Sequence, residues 1–146
     1  MGLILVLNAG SSSVKFALVN VDPKKSEQEF ARGHVDGLGH SPRWSVCQSN
    51  GTIEAGHRWS EGTLVTHKMA IGHILEWIDH HHGLKNLTAA GHRVVHGGAA
   101  FTAPVRLSSD NLARLRDLTP LAPLHQPHNL AAIDSIFELE IGRAHV

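Results

Sequence analysis

The residues best suited to chemistry lie close together near the start of the chain, in the stretch NAGSSSVK, residues 8–15. Asn8 stands where an apolar run ends, so a strand there would present its amide at the strand tip. Ser11 and Ser13 supply hydroxyl groups, and the adjacent backbone N–H groups of such a turn suit phosphate oxygens. Gly10 lets a ligand approach the backbone, and Lys15 adds a positive charge. Together these residues predict a phosphate-binding hairpin.

The residues of this loop also bear on other interpretations. A plain turn is possible, because glycine and serine are common in turns of every kind. The two common nucleotide loops are excluded, because the sequence contains neither GxxxxGK[ST] nor GxGxxG, and a strand follows the loop where those motifs need a helix.

Two apolar runs flank the loop and must position it. Residues 3–7 and 14–19 predict buried strands that form a β-hairpin around the turn. Further strands are predicted at 28–38, 43–49 and 52–59, with Asn50-Gly51 as the turn between the last two.

The pattern changes to helical spacing after residue 62. Apolar residues at i, i+3, i+4 and i+7 predict one buried helix face, formed by Ile71, Ile74, Leu75 and Ile78. Thr66 can cap this helix, and Gly83 can end it. We predict next a strand at 89–98, a helix at 108–118, a proline-punctuated loop and a last helix at 129–140. This order predicts an α/β fold with a mixed sheet.

The composition excludes several classes of function. The chain has 146 residues, the size of one domain, and its formal net charge is zero with histidine neutral. A nucleic-acid partner and a polybasic membrane surface are therefore not expected. The apolar start is too short for a signal peptide, and no apolar run is long enough to span a membrane. Cys47 is the single cysteine, so no intrachain disulfide can form. We expect a cytoplasmic protein.

The chain contains 13 histidines, three of them consecutive at 80–82. One interpretation is a histidine-rich metal-binding protein. The other is a polar helix end, where imidazoles lie near free carbonyl groups. We favour the helix end, because the sequence has no HExxH or other zinc-binding spacing.

Three blocks of the sequence, taken together, resemble one enzyme family. LVLNAGSSSVK (5–15), GHRVVHGGAAFTAPVRL (91–107) and LAPLHQPHNLAAI (121–133) resemble the three signatures of acetate kinase and its short-chain carboxylate kinase relatives, in family order. The resemblance extends from Leu3 to about Glu138. It implies a ribonuclease-H-like mixed sheet, as in the superfamily of acetate and sugar kinases, heat-shock cognate proteins and actin.

The resemblance implies a reversible phosphoryl transfer from ATP to acetate, which gives acetyl phosphate and ADP with the help of Mg²⁺. By matching positions, Asn8 would help to hold the magnesium ion through water. Ser11, Ser13 and Lys15 would line the path of the phosphate groups. The full-length relatives imply a cytoplasmic homodimer whose small-molecule partners are acetate and ATP.

The second and third blocks would supply the acetate side of the site. Arg93 would bind the acetate carboxylate and the phosphoryl group in transit, which suits a planar guanidinium. Val95 and Leu124 would form part of the pocket for the acetate methyl group, and His125 would touch the transferring phosphoryl group. We interpret His92 and His96 as structural.

The match has departures. The family usually has a charged pair where Ala99-Ala100 stand, and an asparagine where Gln126 stands. Family members are also much longer, so we interpret residues 1–139 as an incomplete N-terminal domain, poorly stable and inactive alone. The tail EIGRAHV resembles a translated sequencing adapter, and we interpret residues 140–146 as non-native.

Two alternatives remain open within this resemblance. One is a propionate or butyrate kinase, because one extra methylene is worth only about 1–3 kcal/mol in a pocket. The other is a non-catalytic, actin-like nucleotide-binding module. The block HRVVHGG argues against that module, because a protein that only binds a nucleotide needs no grip on a carboxylate.

Overall fold

The structure is a computed structural model and describes residues 2–20, 28–48, 53–54, 59, 64–94, 109–124 and 126–139. Within these ranges the strands are β1 (Leu3–Ala9), β2 (Val14–Asn20), β3 (Gln28–Asp36), β4 (Arg43–Gln48), β5 (Ile53–Glu54) and β6 (Leu87–His92). The helices are α1 (His67–His82), α2 (Ser109–Arg116) and α3 (Gln126–Leu139), with short 3₁₀ turns at Leu84–Asn86 and Thr119–Leu121. No helix in these ranges is long and apolar enough to cross a membrane.

The strands form one six-stranded sheet in the order β5-β4-β3-β2-β1-β6. Strands β1 to β5 pair antiparallel with their neighbours, whereas β6 lies parallel to β1. The predicted opening hairpin is confirmed, since Ala9 pairs with Val14 across the turn. The mixed sheet and the α/β class are confirmed as well.

Helices α1 and α3 cover one face of the sheet. The alternation of strand side chains sends Leu3, Leu5 and Leu7 of β1 to this face, where they are buried. They join the apolar side of α1, which includes Ile74 and Ile78, in the main core. We call this side the core face, and the side that carries the intervening residues of the strands the open face.

The predicted ends of α1 are confirmed. The hydroxyl oxygen of Thr66 accepts a hydrogen bond from the Met69 N–H at 3.1 Å, as expected of an N-cap. Gly83 ends the helix with a φ of 76°, a left-handed value that favours glycine, and its N–H donates to the Asp79 carbonyl.

An aromatic cluster fills the core face over the middle of the sheet. Phe16 of β2 stacks on Trp44 of β4 with a ring-centroid distance of 5.5 Å, and Trp77 of α1 packs against both. Phe16 lies over Gly33 of the intervening β3, where an added Cβ would clash with the Ser45 carbonyl oxygen and come within 2.7 Å of the Phe16 ring. Glycine at position 33 therefore makes room for the stacked rings.

A second, smaller core joins α2 to α3. It is formed by Leu115 of α2 and by Leu130 and Ile133 of α3, and Val94 packs against it. The side-chain amide of Gln126, which is fully buried, donates to the Leu115 carbonyl at 3.1 Å. The position that departs from the family pattern thus ties the start of α3 to α2.

The predicted starts of two elements were wrong. The strand predicted at 89–98 begins earlier, at Leu87, and as β6 it extends to His92; residues 95–98 lie outside the described part. Helix α3 begins at Gln126 and not at residue 129, because Pro127 lies in the first helical turn, where its missing N–H costs nothing. Of the strand predicted at 52–59, the structure describes Ile53–Glu54, which form β5, and Trp59, which is not in a strand. The other residues of that range lie outside the described part. Asn50-Gly51 lies outside the described residues.

Candidate functional site

The tip of the β1–β2 hairpin places Asn8 beside Lys15. These two residues are direct partners in the antiparallel register, so their side chains leave the same face of the sheet. That face is the open one, because the neighbouring Leu7–Phe16 pair points into the core. Asn8 is half-buried and Lys15 is exposed. An amide and an ammonium group are thus presented together where the hairpin turns.

The turn itself, residues 10–13, offers donors rather than acceptors. The Gly10 N–H donates to the Ser13 carbonyl at 2.8 Å, and the Ser12 carbonyl accepts from the Leu38 N–H at 2.9 Å. No described residue accepts a hydrogen bond from the backbone N–H groups of Ser11, Ser12 or Ser13. Successive N–H groups of this kind form a concavity suited to anions.

Arg93 lies beside this tip, at the end of the parallel pair. His92 pairs with Leu7, and the Arg93 N–H continues the pairing by donating to the Leu7 carbonyl at 3.1 Å. Arg93 therefore comes level with Asn8 on the other side of β1, and its side chain is exposed. The structure brings the first and second sequence blocks together at one end of the sheet.

The third block reaches the same end of the sheet through α3. The side-chain amide of Asn129, which is buried, donates to the carbonyl of Ala9, the last residue of β1, at 2.9 Å. Leu124, in the turn before α3, is 74% exposed. Val95 and His125 lie outside the described residues. The roles predicted for these two residues and for Leu124 stay predictions.

A groove of about 520 Å³ lies on the open face, and both Asn8 and Lys15 line it. Arg32 and His34 of β3 extend the groove across the sheet, and Cys47 of β4 lies on its far side. The hairpin tip therefore opens onto a surface lined by two basic side chains, Lys15 and Arg32, and basic groups attract polyanionic ligands.

A magnesium ion would find only part of a site here. The amide oxygen of Asn8 is a hard ligand of the kind that Mg²⁺ accepts. Among the described residues, however, no group of three or more His, Cys, Asp or Glu side chains is placed to hold a metal ion. The residues present fit a metal bound jointly with phosphate oxygens, as Mg²⁺ commonly is, rather than an all-protein cage.

The consecutive histidines form the last turn of α1, so the predicted helix end is confirmed. Burial lowers the pKa of His82, and the neighbouring His81 lowers it further. His92 behaves differently from these helix-end residues. Both of its ring nitrogens are inaccessible to solvent and have no hydrogen-bond partner among the described residues, and burial lowers its pKa to about 4. This environment supports a structural interpretation of His92.

Sequence reasoning missed two residues that contact the hairpin turn, Asn129 and His67. The Nε2 atom of His67, the first residue of α1, lies 2.6 Å from the Gly10 carbonyl. Only Asn129 left a signal in the sequence, as a polar residue beside the apolar run of the last helix. The contact of His67 joins residues 57 positions apart, and nothing in the local pattern marks it.

Comparison with known proteins gives consistent results. The model of the Acetokinase family matches residues 3–146. The acetate kinase of Rhodopseudomonas palustris (strain TIE-1) is 41% identical over 138 residues, which are 94% of this chain and 34% of that protein. The chain thus spans about a third of the length of the curated relatives it matches.

Solved structures show the same relationship at the level of the fold. The acetate kinase of Porphyromonas gingivalis superposes with a TM-score of 0.84 and 31% identity, over 98% of this chain and 36% of that one. A propionate kinase from Francisella tularensis gives a TM-score of 0.83 and 30% identity, over 99% of this chain and 36% of that one.

Proposed function

The chain belongs to the acetokinase family, and on that premise we propose that it supplies one part of an enzyme that transfers a phosphoryl group reversibly between ATP and acetate. The observation that carries the proposal is the convergence of Asn8, Lys15 and Arg93 at one end of the sheet, beside three serine N–H groups without a described acceptor. Phosphoryl transfer needs this kind of arrangement, because catalysis consists mainly of positioning and charge neutralisation.

The hairpin would bind the phosphate groups of ATP. The N–H groups of the turn and the hydroxyl groups of Ser11 and Ser13 would donate to phosphate oxygens, and the ammonium of Lys15 would offset their negative charge. Asn8 would hold Mg²⁺ together with those phosphate groups. When bound, the ion would neutralise charge on the phosphates and orient them for transfer.

Arg93 would bind the acceptor. Its guanidinium can make two parallel hydrogen bonds to a carboxylate, and it can donate to the phosphoryl group as that group moves. Val95 and Leu124 would contact the methyl group of acetate, and His125 would donate to the transferring phosphoryl group. Arg93 and His125 are thus the proposed catalytic residues of this part of the enzyme.

The substrate, the compartment and the assembly are also part of the proposal. We take acetate as the acceptor because the curated relatives are acetate kinases, whereas the similar fold of a propionate kinase keeps propionate as the second candidate. The full-length enzyme would be a cytoplasmic homodimer. The chain alone is expected to show no turnover, because it spans only about a third of the length of its curated relatives.

The proposal can be tested by joining residues 1–139 to the remaining part of the Rhodopseudomonas palustris relative. The joined enzyme should form acetyl phosphate, measured as its hydroxamate, from ATP, Mg²⁺ and acetate. Propionate and butyrate are assayed in parallel, so that a higher kcat/KM for either would replace acetate as the substrate. A folded joined enzyme that phosphorylates none of the three acids would refute the proposal.

Arg93 gives the residue-level test in the same enzyme. We expect Arg93→Ala to lower kcat by about 10²–10³-fold, the usual loss for one donor to a developing charge. Arg93→Lys should recover little, because an ammonium cannot make two parallel bonds. Arg43→Ala is the matched control, since Arg43 is also exposed but begins β4, four strands away from β6. The melting temperatures of all the variants should equal that of the unsubstituted enzyme. Near-normal turnover in Arg93→Ala would show that Arg93 is not part of the site.

A further inference from the structure

Three backbone carbonyls near the end of β1 are each bound by a different part of the chain. The Leu7 carbonyl accepts from the Arg93 N–H at 3.1 Å. The Ala9 carbonyl accepts from Asn129 Nδ2 at 2.9 Å, and the Gly10 carbonyl lies 2.6 Å from His67 Nε2. The last two contacts are made by side chains, from α3 and α1 respectively. They fix the two peptide groups from which the turn begins.

The burial of Asn129 shows that its contact is specific. Only 2% of Asn129 is exposed, and apart from Gln126 the described residues buried on α3 are apolar: Leu130, Ala132, Ile133 and Ile136. A buried side-chain amide is expected to have a defined hydrogen-bond partner, because burying an unpaired amide costs free energy. On the side of the hairpin, this partner is the Ala9 carbonyl, which accepts from the Asn129 amide.

The ring of His67 is held in place from both helices. It begins α1, and it stacks on His128 of α3 with a centroid distance of 4.7 Å and an interplanar angle of 23°. Because a carbonyl can only accept, Nε2 of His67 must carry the hydrogen in this contact. The residue after His128 is Asn129, so one turn of α3 supports both contacts with the hairpin.

Because the peptide bond is planar, these contacts also fix the direction in which the N–H groups of the turn point. In a trans peptide the C=O and the following N–H point in opposite directions. The Gly10 carbonyl points at His67, so the N–H of Ser11 must point away from α1. The Ala9 carbonyl likewise points at Asn129, which directs the Gly10 N–H towards the Ser13 carbonyl that it contacts.

We propose that Asn129 and His67 are positioning residues that hold the turn of residues 10–13 with its serine N–H groups facing the phosphate groups of ATP. The inference rests on the proposed function for the identity of the ligand. Neither side chain touches the substrate. Their effect is to remove the entropy cost of ordering the turn when the nucleotide binds.

The first experiment uses the chain itself and needs no activity. Heteronuclear ¹⁵N relaxation and ¹⁵N–¹H spectra report on the order and the environment of Ser11, Ser12 and Ser13. In His67→Phe, which keeps an aromatic ring but loses the donor, we expect these amide signals to shift and their order parameters to fall, because the turn loses one of the hydrogen bonds that hold it. His67→Gln, which restores an N–H donor of similar reach, should return both values towards wild type.

Asn129 is tested by two replacements and a matched control. Asn129→Asp is nearly isosteric but cannot donate, and Asn129→Leu removes the donor without adding a charge, so one of them can be studied if the other does not fold. Gln126→Glu changes another buried amide at the start of α3, whose described partner is the Leu115 carbonyl. It should lower stability without moving the serine signals. Unchanged serine signals in folded His67→Phe and Asn129 variants would overturn the proposal.

The second experiment measures kinetics in the joined enzyme described above. His67→Phe should raise KM for ATP by about tenfold, from the loss of one hydrogen bond, while KM for acetate stays within twofold of wild type. A merely structural role would lower the amount of active enzyme without this split. Equal changes in both KM values, or none, would overturn the link to ATP. An inactive wild-type enzyme would instead refute the proposed function, and the spectra would still decide whether the turn is held.

Discussion

The two faces of the sheet differ in what covers them and in what their residues do. On the core face, Leu5 and Leu7 of β1 are buried beneath α1 and α3. On the open face, the intervening Val6 is 42% exposed, and Asn8 and Lys15 line the groove with it. Strand β1 therefore serves both purposes, with one set of residues for packing and the alternate set for binding.

Stability and function can therefore be altered separately within a single strand. Burial of apolar side chains is the main source of stability, so substitutions on the core face should affect folding first. The candidate ligand-binding residues Asn8, Lys15 and Arg93 contribute little to the core and should affect function first. Variants of the two faces, taken in order of decreasing expected effect, test this separation.

The largest effect is expected where the two faces meet in adjacent residues. Leu5 has no exposed surface, so Leu5→Ala should lower the free energy of unfolding by about 2–5 kcal/mol through lost burial and a cavity. Val6→Ala, the matched control on the open face, should cost less than about 1 kcal/mol. Urea unfolding of both variants measures the difference. Similar losses would show that the open face is also packed.

A titratable residue on the core face should make stability depend on pH. Burial holds the pKa of His92 at about 4, below its ordinary value of 6.5. Between these values the unfolded chain binds a proton on this ring and the folded chain does not. Stability should therefore fall as the pH drops from 6.5 to about 4, by on the order of 3 kcal/mol, and this residue should add no slope above 6.5.

The contribution of His92 can be isolated by substitution. In His92→Leu the part of the slope between pH 6.5 and 4 that belongs to this ring should disappear, as measured by urea unfolding at several pH values. Leu121→Ala, at an exposed position that carries no titratable group, should keep the wild-type slope. If His92→Leu keeps the full slope as well, the ring is not buried in the folded chain.

A smaller effect is expected from the cap of α1, which is exposed but supports the core face. Thr66→Ala removes the hydroxyl that accepts from the Met69 N–H, and should cost about 1 kcal/mol. Thr66→Ser keeps the hydroxyl and should retain most of the stability. Thermal unfolding of both variants checks this, and equal losses would mean that the hydroxyl does not cap the helix.

The smallest effect is expected from an ion pair on the surface between α2 and α3. Nη2 of Arg116 lies 2.5 and 2.7 Å from the two carboxylate oxygens of Asp134, and this hydrogen bonding raises the pKa of the guanidinium. Because both groups face solvent, a double-mutant cycle with Arg116→Ala and Asp134→Ala should give a coupling of about 0.2–1 kcal/mol. The coupling should shrink in 1 M salt; a larger, salt-independent value would contradict this view.

Patterns of local sequence predicted much of the fold. The hairpin followed from two apolar runs around a Gly-Ser turn, and α1 followed from its apolar spacing between Thr66 and Gly83. These signals are local, since a strand or helix end depends on residues only a few positions away. The prolines of the third block misled the prediction of α3, because Pro127 was taken as part of a loop although proline is well accepted in a first helical turn.

The contacts that organise the candidate site could not be predicted in the same way. The Asn129–Ala9 hydrogen bond joins residues 120 positions apart, and the His67–Gly10 contact joins residues 57 apart. Such pairs depend on how α1 and α3 pack against the sheet, and the periodicity of one segment carries no information about this. The roles of Val95 and His125 came from the family resemblance alone and stay predictions.

The single cysteine makes the open face chemically addressable. Cys47 is exposed on β4, pairs in register with Arg32, and lines the groove across the sheet from Asn8 and Lys15. A thiol-reactive dye will therefore attach at one position per chain, on the open face and away from the aromatic cluster. The emission of the dye and its rate of attachment then report the binding of a ligand or a further part of the protein over the open face. No engineered substitution is needed for this measurement.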